Sequence, residues 1–291
     1  AICILGDRYE LIPIVLAAIL YNKVIIHIHG GEKSEGVIDE QIRHMITKAS
    51  HVHLAICDEY ASNICRMGEE NWRVLNSGSL AVDNMLQVEE ISNTDLFKDL
   101  ELDIDKDLAL LTYHPVTLNT TEKGSESVKP IFDALDRFNI QIVITAPNLE
   151  SGSDQLITTI RESIKGKNNF QIVNSLGIKR YMRLLQNCKF VIGNSSSGII
   201  EVPYYRIPTI NIGERQKGRI RHPSVIDTDL KTENISNAIE LALNEDFRNS
   251  LSDMKYLFGS GNAAEKIVQF LELLPPKESL LTKKLDFSAK I

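Results

Sequence analysis

Residues 27–44 read HIHGGEKSEGVIDEQIRH and hold three histidines, four carboxylates, two adjacent glycines and one arginine. Groups this densely titratable suit one of three jobs: ligating a metal, moving protons, or forming the solvated rim of an α/β domain. The two His-x-His pairs, His27/His29 and His51/His53, have the spacing that sets both rings on one face of a strand. That spacing permits ligation, but no third ligand follows at a fixed distance, so no metal is expected. Glu32, Glu35, Asp39 and Glu40 fall on the loop and helix start that follow. Asp39 and Arg43 also have the i,i+4 spacing of an ordinary helical ion pair.

A second group lies in FVIGNSSSGIIEVPYYRIPTINIGERQKGR (190–219). A strand runs into Gly193-Asn194-Ser195-Ser196-Ser197-Gly198, and a helix is expected at once. Small residues there let backbone N–H groups and serine hydroxyls approach a phosphate, and a helix N-terminus adds positive potential. A serine-rich turn that only caps a helix has the same composition. Glu201, one turn on, could accept hydrogen bonds from a ribose diol. Arg215 follows the end of the next strand, the edge where open α/β sheets hold ligands. Neither a Walker A sequence nor GxGxxG is present, so neither a P-loop NTPase nor a dinucleotide enzyme is indicated.

Three more strand tips repeat the pattern. His114 stands at the tip of the strand in LLTYHPVT, before a proline, Asn148 ends TAPN, and Asp7 with Arg8 ends the strand of ILGDRYEL. Taken singly, each has a plain reading: a turn histidine, or an N-cap aspartate beside a solvated arginine. Together they are candidate catalytic and phosphate-binding groups.

The elements that would position these residues alternate along the chain. Apolar, Ile/Val-rich strands are expected at 2–5, 24–29, 52–57, 72–78, 108–114, 140–147, 170–175, 190–195 and 209–213, as in parallel sheets covered on both faces. Helical stretches lie between them: a buried helix over 11–20, one over 59–67 capped by Asp58 and closed by Gly68, and an amphipathic one over 181–188. Such βα alternation predicts an α/β chain of two Rossmann-like, doubly wound domains. The acidic stretch 87–107 breaks the rhythm. The expected division is therefore 1–90 in the first domain, 91–107 as linker and 108–291 in the second, with the last helix able to pack back on the first.

With 291 residues, 43% hydrophobic, the chain can bury two cores. The net charge of −7 and the absence of basic blocks argue against nucleic acid. The longest apolar run, 11–20, is too short to span a membrane and contains Pro13. The four cysteines have neither zinc nor disulfide-framework spacing, which suits a reducing, cytoplasmic setting.

GDRYE, HIHGGEKSEGVIDEQIRHMITKASHVH, TYHPVT, APN and GNSSSGIIEVPYYRIPTINIGERQKGR together resemble the UDP-N-acetylglucosamine 2-epimerases, most closely the hydrolysing branch that feeds sialic-acid-type sugar synthesis. The resemblance runs from residue 1 to about residue 270. It implies a glycosyltransferase-B-like fold with a UDP-sugar bound between two domains, no cofactor, and a homo-oligomer, dimer or tetramer. Relatives begin with further βα units, so the first domain is expected to be incomplete. By the resemblance, Arg8, His114, Asn148, Ser195, Ser196, Glu201 and Arg215 hold UDP. Asp7, His29, Glu32, Asp39 and His114 are the groups implicated in the chemistry, although relatives often carry glutamate at the place of His29. The implied reaction is anti elimination of UDP to 2-acetamidoglucal, then hydration to N-acetylmannosamine. A 2,4-diacetamido-trideoxy substrate, a non-hydrolysing epimerase, a glycosyltransferase and a non-catalytic UDP-sugar-binding module are the competing readings.

Overall fold

The computed structural model describes residues 1–35, 37–114, 128–146 and 153–288. Residues 1–87 with 257–291 form one compact unit, and residues 88–256 form another.

The first unit is built on four parallel strands in the order β1 (Ile2–Leu5), β2 (Ile25–Ile28), β3 (Val52–Ala55) and β4 (Val74–Asn76). Successive side chains leave opposite faces of a strand, so each face collects its own cluster. Ile4 and Ile25 pack with Val15 and Ala18 of α1 (Ile12–Leu20) and Ile46 of α2 (Asp39–Ala49). Val24, Ile26, Val52 and Leu54 face the other way, against Leu280, Ile267, Phe270 and Leu271. These last four come from helices Ala263–Glu272 and Lys277–Leu281, which is why the C-terminal stretch clusters with this unit. Arg73, buried, fastens it further by donating to the carbonyls of His51, Leu280 and Thr282.

Two expectations fail in this unit. The apolar helix α1 buries only Val15 and Ala18; Leu16 and Leu20 are 57% and 72% exposed, because the sheet covers a single stripe of it. Asp58 does not cap α3 (Asp58–Arg66). It is that helix's first residue, and its carboxylate accepts from Asn76 Nδ2 at 2.7 Å.

The second unit has six parallel strands: β5 (Leu108–Thr112), β6 (Gln141–Thr145), β7 (Phe170–Val173), β8 (Phe190–Gly193), β9 (Thr209–Ile212) and β10 (Val225–Thr228). Their order is β10-β9-β8-β5-β6-β7, so the winding reverses where β5 lies between β6 and β8. A core of Ile, Leu, Val, Ala and Phe from both faces includes Leu111, Ile142, Phe190, Ile210 and Ile239. Burying each such side chain contributes roughly 1.5–3 kcal/mol. The acidic stretch after residue 87 is not structureless: Ser92 Oγ accepts from Asp95 N at 3.0 Å and starts the helix Asn93–Asp99, which buries Leu96 and Phe97. Among the described residues no helix is long and apolar enough to cross a membrane.

Candidate active site

In the second unit the reversal puts the carboxyl ends of β5 and β8 side by side, with Thr112 paired to Gly193. Open parallel sheets bind ligands at such a switch point. Gly193 has φ +139, and a Cβ there would stand 1.9 Å from the Thr112 carbonyl oxygen, so the turn out of β8 requires glycine. Asn194, fully buried, then clamps His114: its Oδ1 accepts from His114 N at 2.7 Å and its Nδ2 donates to His114 O at 2.9 Å. The Asn194 carbonyl accepts from Arg215 Nη1 at 3.3 Å and from Gln216 Nε2 at 2.8 Å. One loop residue thereby fixes the β5 tip and the loop after β9.

A pocket of about 410 Å³ opens at this point, lined among others by Thr112, His114, Thr145, Tyr181, Ser195, Ser197 and Glu201. Ser195 Oγ accepts from Ser197 N at 3.3 Å, while the N–H groups of Ser195 and Ser196 have no acceptor among the described residues. The helix expected after Gly198 is a single turn, Ser197–Ile200, followed by a 3₁₀ turn over Val202–Tyr205. Pro203 lacks the N–H that an α-helix would need there. One turn carries little dipole, so positive potential at the loop comes from its N–H groups and Arg215. Tyr181 is hydrogen-bonded to Ser197 Oγ, and burial, with the Glu201 charge adding to it, pushes its phenol up.

In the first unit a polar cluster gathers at the ends of β1 and β2. Arg43, on α2 and fully buried, donates through Nε to Asp7 Oδ2 at 2.9 Å and bonds the same oxygen through Nη2. Its Nη1 reaches Glu40 Oε2 at 2.6 Å and the Glu32 carbonyl at 2.9 Å, and Nη2 also donates to Ser34 Oγ at 2.7 Å. The ion pair of Arg43 thus runs to Glu40 and to Asp7, whereas the spacing had pointed to Asp39. Asp39 is the first residue of α2 and is half-buried. His29 stands just past β2 with φ +67, and its Nδ1 lies 2.7 Å from Glu32 Oε1.

The His-x-His pairs do not act as pairs. The left-handed backbone at His29 breaks the strand alternation, while His27, on β2, donates through Nε2 to the Gly6 carbonyl at 2.9 Å and has Thr47 Oγ1 3.2 Å from Nδ1. His51 Nδ1 accepts from Ile25 N at 3.1 Å, and His53 Nε2 lies 3.1 Å from Glu69 Oε2. Among the described residues no group of three or more histidine, cysteine or acidic side chains could hold a metal.

The structure therefore gathers His114, Ser195, Ser196, Glu201 and Arg215 in one unit and Asp7, His29 and Glu32 in the other. Arg8 is exposed and paired with Glu10 at 2.7 Å, and Asn148 lies outside the described residues. Sequence reading missed Arg43, Asn194 and Tyr181, all of them linchpins of the two clusters. Asn194 stands inside the serine loop, and the i,i+4 spacing offers Arg43 only as a partner for Asp39.

The sequence model of the UDP-N-acetylglucosamine 2-epimerase family matches residues 1–272. The chain belongs to this family. It is 37% identical over 250 residues to the GDP/UDP-N,N'-diacetylbacillosamine 2-epimerase (hydrolyzing) of Campylobacter jejuni, an alignment that covers 85% of the chain and 64% of that protein. It is 33% identical to the polysialic acid biosynthesis protein P7 of Escherichia coli, with 99% of the chain and 72% of that protein covered. The crystal structure of the Neisseria meningitidis UDP-GlcNAc 2-epimerase bound to UDP-GlcNAc superposes with a TM-score of 0.78 at 18% identity, covering 93% of the chain and 76% of that structure. At that identity the likeness is one of fold: two parallel-sheet α/β domains of the glycosyltransferase-B-like kind.

Proposed function

We propose that the chain is the catalytic part of a hydrolysing UDP-sugar 2-epimerase, releasing a free manno-configured 2-acetamido sugar and UDP. The observation that carries this reading is the pocket at the β5/β8 switch point, with two unclaimed N–H groups of the serine loop beside His114, Glu201 and Arg215. N–H donors and a guanidinium suit a diphosphate, and a carboxylate suits a ribose diol. We assign UDP binding to His114, Ser195, Ser196, Glu201 and Arg215, joined by Arg8 and Asn148. We assign the acid/base chemistry to the cluster of Asp7, His29, Glu32 and Asp39, with His114 at the leaving diphosphate.

Elimination removes the C2 proton, forms the C1=C2 bond and expels UDP from C1. The serine-loop donors and Arg215 stabilise charge on the departing diphosphate. Water then adds its hydroxyl at C1 while a proton returns to C2 on the opposite face, so two proton-transfer groups are needed. The cluster at the ends of β1 and β2 offers both a carboxylate and an imidazole.

The substrate we favour is the UDP-activated 2,4-diacetamido-trideoxy sugar, supported by the activity for which the 37% identical Campylobacter protein is named. UDP-GlcNAc is the second reading, supported by the 33% identical protein of polysialic acid synthesis. The test is turnover of each UDP-sugar without any acceptor. Free reducing sugar with equimolar UDP supports hydrolysis. An epimerised sugar still carrying UDP would mark the non-hydrolysing reaction, and tight UDP binding without turnover would mark a binding module.

A further inference from the structure

We propose that Nε2 of His29 is the atom that takes the C2 proton, and that Glu32 is a positioning residue acting through it. The proposal rests on the epimerase reading above and assigns roles that the family resemblance leaves open.

The geometry is that of a dyad. Glu32 Oε1 lies 2.7 Å from His29 Nδ1. A carboxylate oxygen accepts, so Nδ1 carries the hydrogen and the neutral ring keeps its lone pair on Nε2. Among the described residues Nε2 meets no donor or acceptor, whereas the Glu32 side chain is only 3% exposed against 17% for His29. The imidazole can reach a substrate; the carboxylate behind it is enclosed.

The backbone supports the same assignment. His29 has φ +67, a conformation that costs a non-glycine residue about 1–2 kcal/mol. It is held there by its N–H on the Leu54 carbonyl at 3.0 Å, and by Gly31, where a Cβ would stand 2.1 Å from the Tyr60 carbonyl oxygen. Strain maintained by such a tight loop marks side chains aimed for a purpose. Two neighbouring carboxylates are tied to Arg43: Asp7 Oδ2 takes two of its donors, and Glu40 Oε2 takes Arg43 and Ser34 N.

In the step, Nε2 bonds the C2 proton and the C–H electron pair becomes the C1=C2 π bond. The C1–O pair leaves with UDP. The imidazolium that forms is stabilised by Glu32 across the Nδ1–H bond.

The test is a double-mutant cycle of His29→Asn and Glu32→Gln, read as UDP release and as C2 exchange in D₂O. His29→Asn should lower kcat by about 10²-fold or more, with UDP affinity and thermal midpoint near wild type. Glu32→Gln should lower kcat by about 10–100-fold alone and by less than about 2-fold in the His29→Asn background. A further tenfold loss in that background would make Glu32 itself the base and overturn the proposal. So would undiminished C2 exchange in His29→Asn. Histidine ¹⁵N spectra of the intact wild-type chain test the tautomer without any variant: a protonated Nδ1 at His29 is expected, and a protonated Nε2 with bare Nδ1 overturns the dyad. Wild-type failure on both UDP-sugars would instead sink the epimerase reading, a result separate from any of these.

Discussion

Arg43 is the residue on which most of the first cluster depends. It is fully buried and holds two carboxylates, a hydroxyl and a carbonyl. Removing a buried charge leaves its partners unpaired, at roughly 3–5 kcal/mol. Arg43→Met should therefore lower the unfolding free energy measured in urea by that amount and abolish turnover, while Arg43→Lys, lacking the forked donors, recovers only part of either. Asn194 plays the corresponding part in the second unit. Asn194→Ala strands the buried N–H and carbonyl of His114, worth about 1–3 kcal/mol, and should weaken UDP binding in calorimetry. Neither pairing was legible in the sequence, because Arg43 meets Asp7 across 36 positions and Asn194 meets His114 across 80. Residue type and strand-tip position single out His114, Ser195, Glu201 and Arg215 as candidates; the groups that hold them in place appear only once the sheet order is known.

Strands and turns carry a different kind of dependence. Gly193→Ala would force a Cβ against the Thr112 carbonyl and should destabilise the second unit by at least about 2 kcal/mol, with loss of the pocket at the β5/β8 switch point. His27 of β2 and His51, just before β3, set the acid behaviour of the first unit. Burial pulls His27 and His51 down to about 4, against an ordinary 6.5. The unfolded chain therefore binds these protons first, so stability is full above about pH 6.5 and is lost as pH falls toward 4. Burial works to raise Glu69, yet hydrogen bonds from His53, Lys283 and Lys48 hold it at about 2, and its contribution is lost only below the ordinary carboxylate range. The acid limb should thus begin with histidines. His27→Gln, which keeps a donor for Gly6, should flatten it by one proton between pH 6.5 and 4, at most about 3 kcal/mol, in urea titrations at several pH values. Nine of the ten strands could be read from their Ile/Val runs. The missing one, β10, is VIDT, half-exposed at the sheet edge and too polar to announce itself. Helix α1 failed for the opposite reason: it is apolar all round, and no polar face in its sequence says which side the sheet covers.

At the scale of the whole molecule, the proposed roles fall into two compact units. The groups we assign to the nucleotide, His114, Ser195, Ser196, Glu201 and Arg215, lie in 88–256, and those we assign to proton transfer lie in the unit of 1–87 and 257–291. The division predicts separable phenotypes. Asp7→Asn should abolish turnover with UDP affinity changed less than about 2-fold, and Glu201→Ala should weaken UDP binding about tenfold or more. The central claim is elimination followed by hydration, and its most direct test is proton NMR of the wild-type reaction in D₂O with the UDP-activated 2,4-diacetamido sugar and, separately, with UDP-GlcNAc. The account predicts a free manno-configured sugar deuterated at C2 from at least one of them. A released sugar that keeps its original C2 hydrogen would contradict it.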